Sequence, residues 1–166
     1  MLSPEFSASE VAAVAHASIA APENFEPAIT TAAFSNLCGG FMIHRLLPIV
    51  GVRVQPEHLN SLGIAHGGFL ATFVDSAFGL ILRRDFTHTL TPTVHLGVDY
   101  LAPAKQGDWL EAHVSVAKVG RSVAHATCSV LTDGRTLLTS SGVFHVGSST
   151  RRQDRSTTCK PPGQAT

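Results

Sequence analysis

The stretch Gly67–Leu82, GGFLATFVDSAFGLIL, constrains this chain more than any other. At 3.6 residues per turn, Phe69, Leu70, Phe73, Val74, Phe78, Leu80, Ile81 and Leu82 cover most of a helix circumference. Such a helix has to be enclosed. It is shorter than the ~20 apolar residues that span a bilayer, so protein must enclose it. The covering material follows in the sequence, where the hydrophobic period changes to two. Val94, Leu96, Val98 and Tyr100 alternate in one strand, and Leu110, Ala112, Val114 and Val116 in the next. Ser122–Leu131 and Thr136–Val146 read as two more, joined through Thr132, Asp133, Gly134 and Arg135, whose Asp-Gly step is a strong hairpin signal. Upstream, Phe41–Leu46 and Ile49–Val54 are split by Pro48 and read as a strand pair or one broken strand. One long buried helix with about five antiparallel strands makes an α+β domain, the sheet wrapped around the helix.

The ends read differently. Ser7 and Glu10 have capping-box spacing ahead of an alanine-rich pattern, which predicts a helix over roughly Ser7–Ala20. Residues 25–40 carry no clear period. The tail from Gly147 is rich in Ser, Thr, Arg, Gln and Pro and reads as disordered. The expected division is an N-terminal extension over 1–34, a domain over 35–147 and a tail over 148–166.

A length of 166 residues fits one domain with a substantial core. Apolar residues make up 44% and charged residues 14%, which points to self-association. Twelve basic and 12 acidic residues cancel, against a nucleic-acid or membrane-surface role driven by bulk charge. Cys38, Cys128 and Cys159 lie far apart in no pairing pattern, as expected of reduced thiols in a cytoplasm. No Lys or Arg precedes Arg45, so the N-terminus lacks the basic region of a targeting peptide, and no apolar run is long enough to span a bilayer. The expectation is a cytoplasmic protein.

Asp75 is the single formal charge between Gly67 and Leu82. It falls on a narrow stripe with Gly68, Thr72, Ser76 and Gly79, at spacings of three and four. An uncompensated buried carboxylate costs several kcal/mol, so it must be paired, hydrated or protonated. One reading of the stripe is purely local, with Thr or Ser hydroxyls satisfying the carboxylate and Gly79 easing packing. The other begins at His66-Gly67-Gly68, where the helix starts. First-turn N–H groups have no intrahelical partner, and glycines let a ligand approach them; that arrangement polarises a carbonyl or holds an oxyanion. Together these suggest an acyl-transfer site with an electrophile end and a base end. Asp75 lies eight residues beyond Gly67, or about 12 Å along the axis. It cannot reach a carbonyl held at its own helix N-terminus. If both serve one site, two chains build it, with two sites per isologous dimer.

At this point the residues resemble a known family. Asn60, Gly63, His66, Gly67, Gly68 and Asp75, spaced Asn-(x)2-Gly-(x)2-His-Gly-Gly-(x)6-Asp, are similar to the hot-dog-fold acyl-CoA thioesterases of the phenylacetate-pathway (PaaI-like) group. So are Tyr100–Ala104, the Val119-Gly120-Arg121 turn and the closing strand Leu137–Val146; the match covers about residues 35–147. The resemblance implies a hot-dog fold, a homodimer or dimer of dimers, acyl-CoA as substrate and no cofactor beyond the coenzyme A it carries. It assigns Gly67 to polarise the thioester carbonyl and Asn60 to position that group or the attacking water. The partner subunit's Asp75 becomes base or nucleophile, and Thr93 sits near the water. His66, Gly68 and Ser76 are candidate substrate contacts, although His66 reads first as a residue that packs or caps the helix entry. Lys118 and Arg121 flank the turn expected near the CoA phosphates, with Arg83, Arg84 and Lys105 as further candidates.

Two alternatives stand beside this reading. An acyl-thioester hydratase would pair Asp with His, but after Asp75 no histidine occurs before His88. A non-catalytic acyl-CoA sensor that binds DNA would need a basic N-terminus; the first 44 residues hold Glu5, Glu10, Glu23 and Glu26 and no Lys or Arg. A sensor without DNA binding is separated from an esterase by an activity test.

Overall fold

The computed structural model describes residues 21–28, 33–87 and 91–146. In chain order these form β1 (Phe25–Pro27), α1 (Ala33–Leu37), β2 (Met42–His44), β3 (Ile49–Arg53), a 3-10 turn at Pro56–His58, α2 (Gly67–Leu82), a π-helical turn at Arg83–Thr87, β4 (Thr93–Tyr100), β5 (Trp109–Val119), β6 (Val123–Thr132) and β7 (Arg135–His145). The expected N-terminal helix over 7–20 and the tail from 147 lie outside the described residues.

All strand pairings are antiparallel, and the seven strands form one sheet in the order β1-β2-β3-β5-β6-β7-β4. The β6–β7 hairpin turns at Asp133 (φ 47°) and Gly134 (φ 76°), with Thr132 opposite Arg135. Two successive positive φ values make the primed turn whose twist matches its strands, the role Asp-Gly serves. One strand, β1, falls in the stretch without a clear period; at three residues it is too short to show one. Phe41–Leu46 and Ile49–Val54 resolve into the pair β2–β3.

The sheet curls around α2. Phe73, Val74, Ala77, Phe78, Ile81 and Leu82 are fully buried against inward residues such as Leu110, Ala112, Ala124, Val130, Leu138 and Phe144. Each large side chain so buried contributes about 1.5–3 kcal/mol. Phe78 and Phe144 pack with ring centroids 5.1 Å apart. Gly142 makes room for them, since a Cβ there would come within 2.5 Å of the Phe144 ring.

One face of α2 is left partly open by its own chain. Phe69 and Leu80 are half-buried, as are Thr72, Asp75, Ser76 and Gly79 on the polar stripe. Among the described residues no helix is long and apolar enough to cross a membrane.

Candidate active site

After the 3-10 turn the chain folds into a tight loop closed by a Leu59–Ala65 bridge. Asn60 organises it. Its Oδ1 accepts from the N–H groups of Leu62 (2.9 Å) and Ile64 (3.4 Å), and its backbone carbonyl accepts from Gly63 N–H (3.0 Å). Gly63 has φ +71°, which glycine adopts without steric cost. Because the Asn60 oxygen is held by two donors, its NH₂ remains for another acceptor.

His66 caps α2 with φ −65° and ψ 134°, its Nδ1 accepting from Gly68 N–H at 2.9 Å. Gly68 N–H is therefore engaged locally, whereas Gly67 N–H donates to no acceptor among the described residues. Asn60 and Gly67 line one pocket of about 410 Å³. Tyr100 adds a hydroxyl, Ile64, Leu70 and Leu101 supply apolar wall, and no lining residue is charged.

Asp75 is not part of that pocket. Its Oδ1 accepts from Thr93 Oγ1 at 2.6 Å, a short charge-assisted contact. Simple alternation puts Thr93 on the face opposite Leu96, Val98 and Tyr100. A β-bulge between Thr93 and His95 breaks that alternation: Thr93 pairs with Phe144 and His95 with Val143, so two residues of β4 match one step of β7. The extra residue leaves Val94 64% exposed and turns Thr93 towards α2. Ser76 lies beside Asp75 on the half-buried stripe.

Lys118 and Arg121 are exposed at the β5–β6 turn. That turn sits at the Thr93 end of β4, since Val146 N–H donates to Ser122 O and His145 N–H to Pro92 O. They thus share an end of the sheet with Asp75 and lie away from the Asn60–Gly67 pocket. Arg84 is committed elsewhere, bonded to Asp85 and to the carbonyls of His44 and Leu47. Among the described residues no cluster of His, Cys, Asp and Glu side chains has the form of a metal site.

Two residues of the site are absent from the sequence reading as individuals. Tyr100 Oη donates to Gly67 O at 2.8 Å, pinning the first turn of α2 to β4. The only signal was its place in the Tyr100–Ala104 motif. His58 is 4% exposed, and its ring stacks on Phe69 with centroids 3.8 Å apart; nothing local in the sequence announces this.

The geometry can be set beside known proteins. The model of the family described as "Thioesterase superfamily" matches residues 62–139, which hold α2, β4, β5 and β6. A Pseudomonas aeruginosa protein named "Putative esterase" is 33% identical over 130 residues, 75% of this chain and 96% of that one. The chain belongs to the thioesterase superfamily. Its sheet around a central helix is the hot-dog fold of this superfamily. Another relative, acyl-coenzyme A thioesterase 13 of Mus musculus, is 29% identical over 101 residues, 60% of this chain and 72% of that one. Among solved structures, a point mutant of phenylacetic acid degradation protein PaaI from Thermus thermophilus superposes with a TM-score of 0.61 at 26% identity. That likeness covers 69% of this thioesterase-superfamily chain and 98% of PaaI.

Proposed function

We propose that the chain is an acyl-CoA thioesterase of the PaaI-like type, with each catalytic site built between two copies. The layout of β4 carries this reading. Among the described residues β4 is an edge strand, paired on one side with β7. One end holds Thr93 and through it Asp75; the other holds Tyr100 and through it Gly67. A strand pairing antiparallel with its own copy about a two-fold axis sets the Thr93 end of one against the Tyr100 end of the other. Each pocket of Asn60 and Gly67 then meets the partner subunit's Asp75, twice per dimer, although one helix keeps the two halves about 12 Å apart. Val94, Tyr100 and Leu101, at 64%, 52% and 61% exposure, are the apolar surface such pairing would cover. Two such dimers can associate further.

In this site the thioester oxygen accepts from Gly67 N–H and the Asn60 amide, which stabilise the charge that develops there. The carboxylate of Asp75 either takes a proton from water attacking the carbonyl carbon, or attacks that carbon itself to give an anhydride that water opens. Either route breaks the C–S bond, releases CoA as its thiol and leaves the free acid, with no further cofactor. The uncharged pocket suits a neutral acyl group, aryl or medium-chain; a second carboxylate would be desolvated there without a partner. Lys118 and Arg121 accompany Asp75 and are the candidates for the CoA phosphates. The name of the mouse relative, acyl-coenzyme A thioesterase 13, supports the acyl-CoA class.

The test is thiol release from phenylacetyl-, hydroxybenzoyl-, short-, medium- and long-chain acyl-CoA by wild type and Asp75→Asn. A fall of about 10²–10⁴-fold in an intact oligomer is expected. Undiminished turnover by Asp75→Asn would remove Asp75 from the mechanism, and a folded wild type that hydrolyses none of the panel would overturn the thioesterase reading.

A further inference from the structure

His58 is a buried imidazole on the 3-10 turn ahead of the Asn60 loop. Its Nδ1 accepts from Gln55 N–H at 3.0 Å, while Nε2 is buried and makes no hydrogen bond of normal geometry among the described residues. The ring is also seated with care: a Cβ on Gly39, which has φ +88°, would come within 2.9 Å of it. It lies next to both donors of the proposed site, one along the chain and one through a single hydrogen bond. The residue stands two positions before Asn60. Its carbonyl accepts from His66 N–H at 2.8 Å, fixing the residue whose peptide link carries Gly67 N–H. Its ring stacks on Phe69, in the first turn of α2, with planes 11° apart.

We infer that His58 is the positioning residue of the carbonyl-polarising pocket, holding the Asn60 loop and the Gly67 peptide in register, and that it does so only as a neutral ring. The inference rests on the thioesterase reading above for its kinetic consequence but not for its geometry. An Nδ1 that accepts from Gln55 N–H carries no proton, so the neutral ring bears its proton on Nε2. A second proton, on Nδ1, would set two donors against each other across 3.0 Å and break the turn. Burial disfavours the charged ring further, against opposing pulls from the Glu57 carboxylate and the Cys38 backbone. The groups around the ring are Glu57 on its own turn, Cys38 and Gly39 after α1, and Phe69 on α2; of these, Glu57 and Cys38 can titrate.

Two substitutions separate the contributions. His58→Asn keeps an acceptor near the Nδ1 position but cannot take up a proton, and His58→Phe keeps the stack but loses the acceptor. His58→Phe is expected to lower kcat about tenfold or more with KM within about twofold, because the donors act chiefly in the transition state. His58→Asn is expected to recover most of that loss, and to lose the part of the acid limb of kcat that the imidazole sets. Unfolding curves verify that each variant is folded. A second readout needs no turnover: in ¹⁵N NMR of wild type, Nδ1 should be the unprotonated nitrogen at neutral pH. The Gly67 amide and the Asn60 side-chain amide should then shift with the midpoint of the His58 ring, and cease to do so in His58→Asn. A ring protonated on Nδ1 instead, or Gly67 and Asn60 signals indifferent to its titration, would overturn the inference even if the protein hydrolyses no thioester. Shifts that follow His58 in a protein without activity would keep the inference and remove only the thioesterase reading.

Discussion

Deleting one half of the site in each of two chains tests the shared site directly. Gly67→Pro removes a single N–H and little else. Proline is well tolerated at the first position of a helix, where the N–H has no intrahelical partner. The residue before a proline must be extended, and His66 already is, at φ −65° and ψ 134°. A Cβ on Gly67 would lie 3.5 Å from the Tyr100 ring, an ordinary contact. Loss of one oxyanion donor costs about 10²–10³-fold in kcat, or 2.7–4 kcal/mol. Asp75→Asn removes the proposed base or nucleophile at near-constant shape and is expected to cost about 10²–10⁴-fold. Each homodimer should therefore retain about 1% of wild-type thiol release or less. Co-expressed and randomly assorted, half of the dimers are mixed. In each mixed dimer one site joins two intact halves and the other joins two damaged ones. The mixture should recover about one-quarter of wild-type activity, measured with a thiol reagent on the best CoA thioester. A mixture that stays at the level of its parents, with mixed dimers verified by native mass spectrometry, would refute the shared site, because every chain then carries its own lesion.

Three further outcomes follow from single contacts. Tyr100→Phe removes the hydrogen bond to Gly67 O while keeping the ring; with the bond worth ~1 kcal/mol, the melting temperature should fall by only a few degrees, and kcat should fall about three- to tenfold. Burial lowers the His58 pKa below that of the unfolded chain, so the unfolded state binds more protons in the window between the two values. Denaturant titrations should show this part of the stability intact above about pH 6.5 and lost as pH falls through the folded-state value, and His58→Asn should flatten that slope. Burial pushes the Cys128 thiol up to about 12, so alkylation at pH 8 should reach it only after denaturation, as peptide mapping of native and unfolded samples would show.

The half of this architecture carried by local chemistry was legible in the sequence. The bounds of α2 follow from the His-Gly-Gly step and a helical apolar period, and the β6–β7 hairpin follows from an Asp-Gly pair that must take positive φ. The isolation of Asp75 and the availability of Gly67 N–H were likewise readable, because both are properties of one helix and its start. The three-residue β1 carries no period, and α1 is too short to show one. Nor does any local signal place β4 beyond β7 at the sheet edge, since that choice is made by pairing between distant segments. The bulge at Thr93 reverses the side its neighbours predict, the Tyr100 hydroxyl finds Gly67 O across 33 positions, and His58 is buried by residues from both sides of it in sequence. The sequence by itself determined which groups could do the chemistry, because helix starts, turns and an unpaired carboxylate act over a few residues. Only the tertiary structure decided where those groups stand, because strand order, bulges and close packing depend on contacts that no short stretch contains.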